Sequence, residues 1–124
     1  MASRRNPNRT DATRSVVKKV KSGAPDIYPD VDIYDSTLTH ISEEHADAYA
    51  HLESIYESIE NPPLIYKSRT NKRSVLVVNK QIVNKHGEPL RIPIKVVSST
   101  EAIMSTALFA SSNHYDGELL WKPK

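Results

Sequence analysis

Glu44, Asp47 and His51 stand at i, i+3 and i+7 within a stretch of helical periodicity, so they fall along one helix face. Two carboxylates and an imidazole in line form a ligand set that suits a divalent cation. Three ligands on a single helix need a second element to complete the shell, and no second cluster of His and acids follows in the sequence. The stripe therefore reads as a solvated helix face, and no metal site is expected. His40, His86 and His114 are scattered, and Asp116 in Tyr115-Asp116-Gly117 fits a turn. No serine has the glycine-framed context of a nucleophile. The chain has no cysteine, which removes thiolate metal sites, disulfides and cysteine nucleophiles. Its three glycines, Gly23, Gly87 and Gly117, are far apart, which removes P-loops and dinucleotide fingerprints. The expectation is a protein that is not an enzyme, with no catalytic residues and no cofactor.

Charge carries more information. The net charge of +2 conceals blocks. Residues 1–24 hold Arg4, Arg5, Arg9, Arg14, Lys18, Lys19 and Lys21 against Asp11 alone, while residues 25–63 hold ten acids and no Lys or Arg. Residues 64–95 hold eight basic side chains against Glu88, with Arg69, Lys72 and Arg73 gathered at one turn. Cations in such numbers suit phosphate contact with counterion release. Tyr66 is the only aromatic residue between 64 and 95, so base stacking is not indicated, and backbone contact is. The expected nucleic-acid-binding residues are therefore the seven cations of the first block with Arg69, Lys72 and Arg73.

The elements that would carry these residues divide the chain in four. Residues 1–24, rich in Arg, Asn, Ser and Thr, read as a basic flexible arm too polar to offset its ordering entropy. Residues 25–38 read as an extended acidic strap, because Pro25 and Pro29 disfavour helix. Within it Asp26-Ile27-Tyr28 repeats as Asp32-Ile33-Tyr34, six residues on, which returns side chains to one face of an extended chain. Ile27, Tyr28, Ile33 and Tyr34 are the expected anchors on a neighbouring subunit, with Trp121 as a further subunit contact.

Residues 39–112 read as a small α+β body. Ile41, His45, Ala48, Leu52, Ile55 and Ile59 make a heptad-like seam on a helix over 39–60, ended by Asn61-Pro62-Pro63. Leu64–Ser68, Ser74–Val83 and the alternating Leu90, Ile92, Ile94, Val96 predict about three antiparallel strands. Ser98 and Glu101 form a capping-box pattern that predicts a second helix over 99–111. Residues 113–124 read as a C-terminal tail. The fold class expected is α+β: a small antiparallel sheet of about three strands with two helices, preceded by a disordered arm and a strap.

A basic arm, a strap and a small body is the layout of proteins built into large particles, an analogy of architecture only. The expectation is a small structural or accessory protein of an assembly, most plausibly a virus or phage particle, whose partners include copies of itself and whose basic arm contacts either nucleic-acid backbone or an acidic neighbouring subunit. A nucleic-acid-binding regulatory or ribonucleoprotein factor is one alternative, and a small inhibitor presenting its acidic surface is another. No apolar run reaches membrane-spanning length and no apolar block follows the basic N-terminus, so the expected location is virion or cytoplasm, without secretion and without a membrane partner.

Overall fold

Val16, Val17 and Val20 are β-branched and suit extended chain, and the first described element is a strand containing them. The computed structural model describes residues 15–123. Among these, in chain order, lie β1 (Val16–Val20), β2 (Val31–Tyr34), α1 (Asp35–Glu44), α2 (Ala46–Tyr49), α3 (Leu52–Glu60), β3 (Leu64–Ser68), β4 (Ser74–Val83), β5 (Pro89–Val96), β6 (Ala102–Met104), β7 (Leu108–Phe109), α4 (Ser112–Tyr115) and β8 (Asp116–Trp121). The strands form one sheet in the order β1-β2-β6-β5-β4-β3-β8, with β7 also paired to β5. β2 and β6 run parallel and every other pair is antiparallel.

The small three-stranded sheet with two helices is thus corrected to a mixed sheet of eight strands with four short helices among the described residues. Each difference has a physical cause. Residues 16–20, expected in the arm, pair with β2 from Val16↔Tyr34 to Val20↔Val31, and Val20 is buried. Backbone pairing satisfies a polar segment that could not build a core of its own. Residues 31–34 of the expected strap form an interior strand, between β1 and β6.

The segment expected as a second helix over 99–111 is strand instead. The amides of Val97 and Ser98 both donate to the Glu101 carbonyl, at 2.9 and 3.1 Å, which closes a tight turn in place of a helix start. Ser98 Oγ accepts from the Thr100 amide rather than from Glu101. The chain then returns along β5 as β6 and β7, separated by residues 105–107. Pro93 has no N–H to give a ladder, and it lies opposite this interruption, where its carbonyl accepts from the Ser105 amide. The expected tail supplies β8, paired with β3.

The long helix expected over 39–60 is broken at His45 and His51, whose backbones leave helical geometry (φ −139°, ψ 56° and φ −109°, ψ 33°). The apolar seam survives the breaks. Ile41, Ala48, Ile55 and Ile59 are fully buried in one core with Ile65, Val75, Val77, Leu90, Ile92 and Ile94, and Leu52 packs half-buried at its edge. Gly23 is required where the loop after β1 crosses the end of α3. A Cβ there would run into the Glu60 carbonyl and the Pro62 ring.

Period two places Leu76, Val78 and Arg91 on the sheet face opposite this core, with Val78 directly across from Arg91. All three are buried. Arg91 is 1% exposed, and its Nε and Nη2 donate to Asp116 Oδ1 and Oδ2, each at 2.8 Å. Its Nη1 donates to the Ala110 carbonyl. The bidentate fork and the third acceptor satisfy a buried guanidinium that would otherwise be prohibitive to enclose.

Two stability measurements follow. Ile55→Ala should cost about 2–5 kcal/mol in urea unfolding, and Leu52→Ala clearly less, because only Ile55 is fully enclosed; equal losses would contradict this placement. Asp116→Ala should cost about 3–5 kcal/mol by stranding a buried charge. Adding Arg91→Met to it should recover part of that loss, whereas simple additivity would show that the pair is not coupled.

Candidate functional site

Among the described residues the expected cations do not all line one groove. Arg4, Arg5, Arg9 and Arg14 lie outside the described residues. Lys19 Nζ sits 2.6 Å from Asp32 Oδ1 on the neighbouring strand. That hydrogen bond holds its ammonium above the usual lysine range. Lys18 Nζ lies 5.2 Å from the Tyr56 ring centroid, a cation–π contact with α3. Lys21 is exposed just beyond β1. Arg69 is committed too: its Nη1 donates to the Asn113 carbonyl at 3.0 Å and its amide to the Tyr115 carbonyl.

Lys72 and Arg73 remain exposed on the β3–β4 turn and join Lys67 of β3 in lining one groove of about 350 Å³. The turn that presents them is held internally. Ser68 Oγ accepts from the amides of Thr70 and Asn71, and Asn71 Oδ1 accepts from the Arg73 amide at 2.9 Å. Lys67 was not among the expected contacts. Its signal was its position at the end of a strand that leads into a basic turn.

The expected subunit anchors sit elsewhere than on a free surface. Tyr28 and Ile33 are fully buried in the chain's own core, and Ile27 is half-buried against it. Tyr28 donates its hydroxyl to the Ile59 carbonyl at 2.7 Å, which ties the loop before β2 to the end of α3. Tyr34 ends β2 opposite Val16, half-buried. The six-residue repeat thus reflects a turn and a strand packing inward. Trp121 is half-buried on β8 opposite Ile65, and it borders a cavity of about 590 Å³ with Gly23, Pro62 and Pro63.

A second pocket, of about 470 Å³, brings together residues that the sequence kept apart. Asp47 lines it from α2, His51 from the break between α2 and α3, Val83 from the end of β4, Asn84, Lys85 and His86 from the β4–β5 turn, and Phe109 from β7. The His51 ring meets the Phe109 ring edge-on, centroids 5.8 Å apart. Asn84 fixes the turn carrying His86. Its Oδ1 accepts from the amides of His86 and Glu88, and its Nδ2 donates to Glu88 Oε1, at 2.9–3.0 Å. Gly87 completes the turn at φ +78°, where a side chain would be strained. Glu44 is exposed and does not line this pocket. Among the described residues no group of three or more His, Cys, Asp or Glu is arranged to hold a metal ion, and no helix is long and apolar enough to cross a membrane.

No family model, no curated protein and no solved structure matches this chain.

The inward placement of Tyr28 has a pH consequence. Burial pushes its hydroxyl well above the usual tyrosine range, so the phenol ionises more readily in the unfolded chain. The raised ammonium of Lys19 acts in the same direction. Their contributions are present at neutral pH and are lost as pH climbs past about 10. The urea midpoint should fall from pH 8 to pH 11. Tyr28→Phe should start about 1 kcal/mol less stable for want of its hydrogen bond and then decline less steeply; parallel curves would contradict the assignment.

Proposed function

We propose that this chain is a small accessory protein of a nucleoprotein assembly that holds nucleic-acid backbone through the β3–β4 turn. The observation that carries this reading is the convergence of Lys67, Lys72 and Arg73 on one groove while the neighbouring cations Lys19 and Arg69 are bonded within the chain. Among the described residues Lys67, Lys72 and Arg73 form no ion pair, although Glu118 lines the same groove, and this leaves them available to phosphate. The three helices α1–α3 carry no Lys or Arg and seven acids, so a polyanion is repelled from that part of the surface and directed to the turn. The basic residues of 1–14 add further phosphate contacts.

Two features support assembly with other subunits. Among the described residues the sheet ends in open edges at β1 and β8. Both edges expose apolar side chains: Val16 and Val17 are 46% and 53% exposed, Leu119 and Leu120 42% and 40%. An open edge with apolar side chains is a template for pairing with another chain. These edges take the place of the buried residues 28 and 33 as the surface offered to neighbours.

Phosphate contact has a direct signature. Log affinity for duplex should fall linearly with log salt, by about 0.9 for each phosphate neutralised. Changing Lys67, Lys72 and Arg73 together to Ala should flatten that slope by up to about 3 and weaken all sequences alike. A variant with an unchanged slope would refute the groove. A loss confined to one sequence would mean base reading instead.

A further inference from the structure

We propose that the pocket between α2–α3 and the β4–β5 turn is a catalytic site that cleaves RNA, with His51 and His86 as its acid–base pair. The choice of a ribonucleotide substrate rests on the nucleic-acid reading above; the pocket itself does not.

Two imidazoles, an ammonium, a carboxylate and an aromatic wall open onto one cavity of about 470 Å³, a volume suited to one nucleotide unit. Imidazole is the side chain best fitted to accept and to donate a proton near neutral pH. Two imidazoles at one cavity supply both proton transfers that a phosphodiester transfer requires. Asp47, His51, Lys85 and His86 are all exposed to solvent, with Asp47 Oδ1 also accepting from the Ala48 amide at 2.8 Å. The turn that carries His86 is nevertheless fixed by three hydrogen bonds to the Asn84 side chain and by a glycine at positive φ. On the other wall, the Phe109 ring meets the His51 ring edge-on. Exposed groups on a rigid frame are what a reactive site needs.

The two imidazoles stand on opposite walls: His51 on the helical side with Asp47, His86 on the turn with Lys85. In the proposed step His51 is the base and His86 the acid. His51 takes the proton of a ribose 2′-hydroxyl, and that oxygen forms a bond to phosphorus. The bond from phosphorus to the 5′ oxygen of the next nucleotide breaks as His86 gives that oxygen a proton. The products are a 2′,3′-cyclic phosphate and a free 5′-hydroxyl, with no oxidant, reductant or added water. Lys85 offsets the charge that builds on the non-bridging oxygens, and Phe109 gives ribose or base an apolar surface.

The test uses the full chain with the dinucleotide uridylyl-3′,5′-adenosine, in the presence of a chelator, with products separated by chromatography. This substrate is too short to depend on the Lys67–Arg73 groove, so the two proposals fail separately. If salt-dependent duplex binding is absent and the dinucleotide is still cut, the pocket stands and the groove falls. The expected result is formation of the cyclic phosphate, at least 100-fold slower in His51→Ala and in His86→Ala, with none from the 2′-deoxy analogue. Both positions are solvent-exposed, so the urea midpoint of each variant should match the parent. Should His51→Ala unfold, His51→Gln and the turn variant His86→Ala decide the matter. Absence of cleavage by the parent, full activity in either histidine variant, or equal cutting of the 2′-deoxy analogue would overturn the proposal.

Discussion

The Arg91–Asp116 ion pair is the constraint on which both the cationic turn and the histidine pocket hang. Arg91 lies on β5 in the middle of the sheet, and its two carboxylate bonds fix the first residue of β8. Its third bond, to the Ala110 carbonyl, fixes the chain just after β7. The segment between, residues 110–116, is thereby pinned at both ends. Phe109, one residue before it, forms a wall of the histidine pocket. Asn113 and Tyr115, inside it, accept hydrogen bonds from Arg69 at the base of the cationic turn. A single buried guanidinium therefore holds the pocket wall on one side and steadies the cationic turn on the other. A hydrophobic residue of similar volume would fill the space, but it would not fix two separate carbonyl and carboxylate positions.

Local pattern revealed the parts of the fold that local pattern decides. The seam of Ile41, Ala48, Ile55 and Ile59 points inward as its spacing requires, although the helix is in three pieces. Leu90, Ile92 and Ile94 alternate as expected. What remained hidden depends on distant partners. β1 and β2 are short and flanked by charge, and they become strands because each finds the other and because β2 meets β6 some seventy residues on. The capping-box pattern at Ser98 and Glu101 is equally compatible with a turn, and β5 decides it by offering its open edge to residues 102–109. Arg91 alternates with apolar residues like any solvent-facing strand position; only the return of the chain to Asp116 encloses it.

The same distance hid the pocket. His51 and His86 are separated by 35 positions and by two strands, and no local pattern links one to the other. Asp47 and His51 were visible as a helix-face pair lacking a second element. The β4–β5 turn is that element, and it brings an imidazole and an ammonium where a metal site would have required further carboxylates or histidines. The cationic groove was more legible, because charge blocks survive folding. Seven acids lie on α1–α3, and Lys67, Lys72 and Arg73 line one groove at the β3–β4 turn, while Lys19, which the sequence offered to a partner, is paired with Asp32.

The proposal that nucleic acid meets this protein at the cationic turn and at the histidine pocket is tested by amide and imidazole NMR shifts of the labelled full chain, followed during titration with a short, cleavage-resistant 2′-O-methyl RNA at low salt. Shifts are expected at Lys67, Lys72 and Arg73 and at the His51 and His86 rings, with α1 unmoved. Shifts confined to residues 1–14, or spread over the acidic helices with the turn and both rings unaffected, would contradict it.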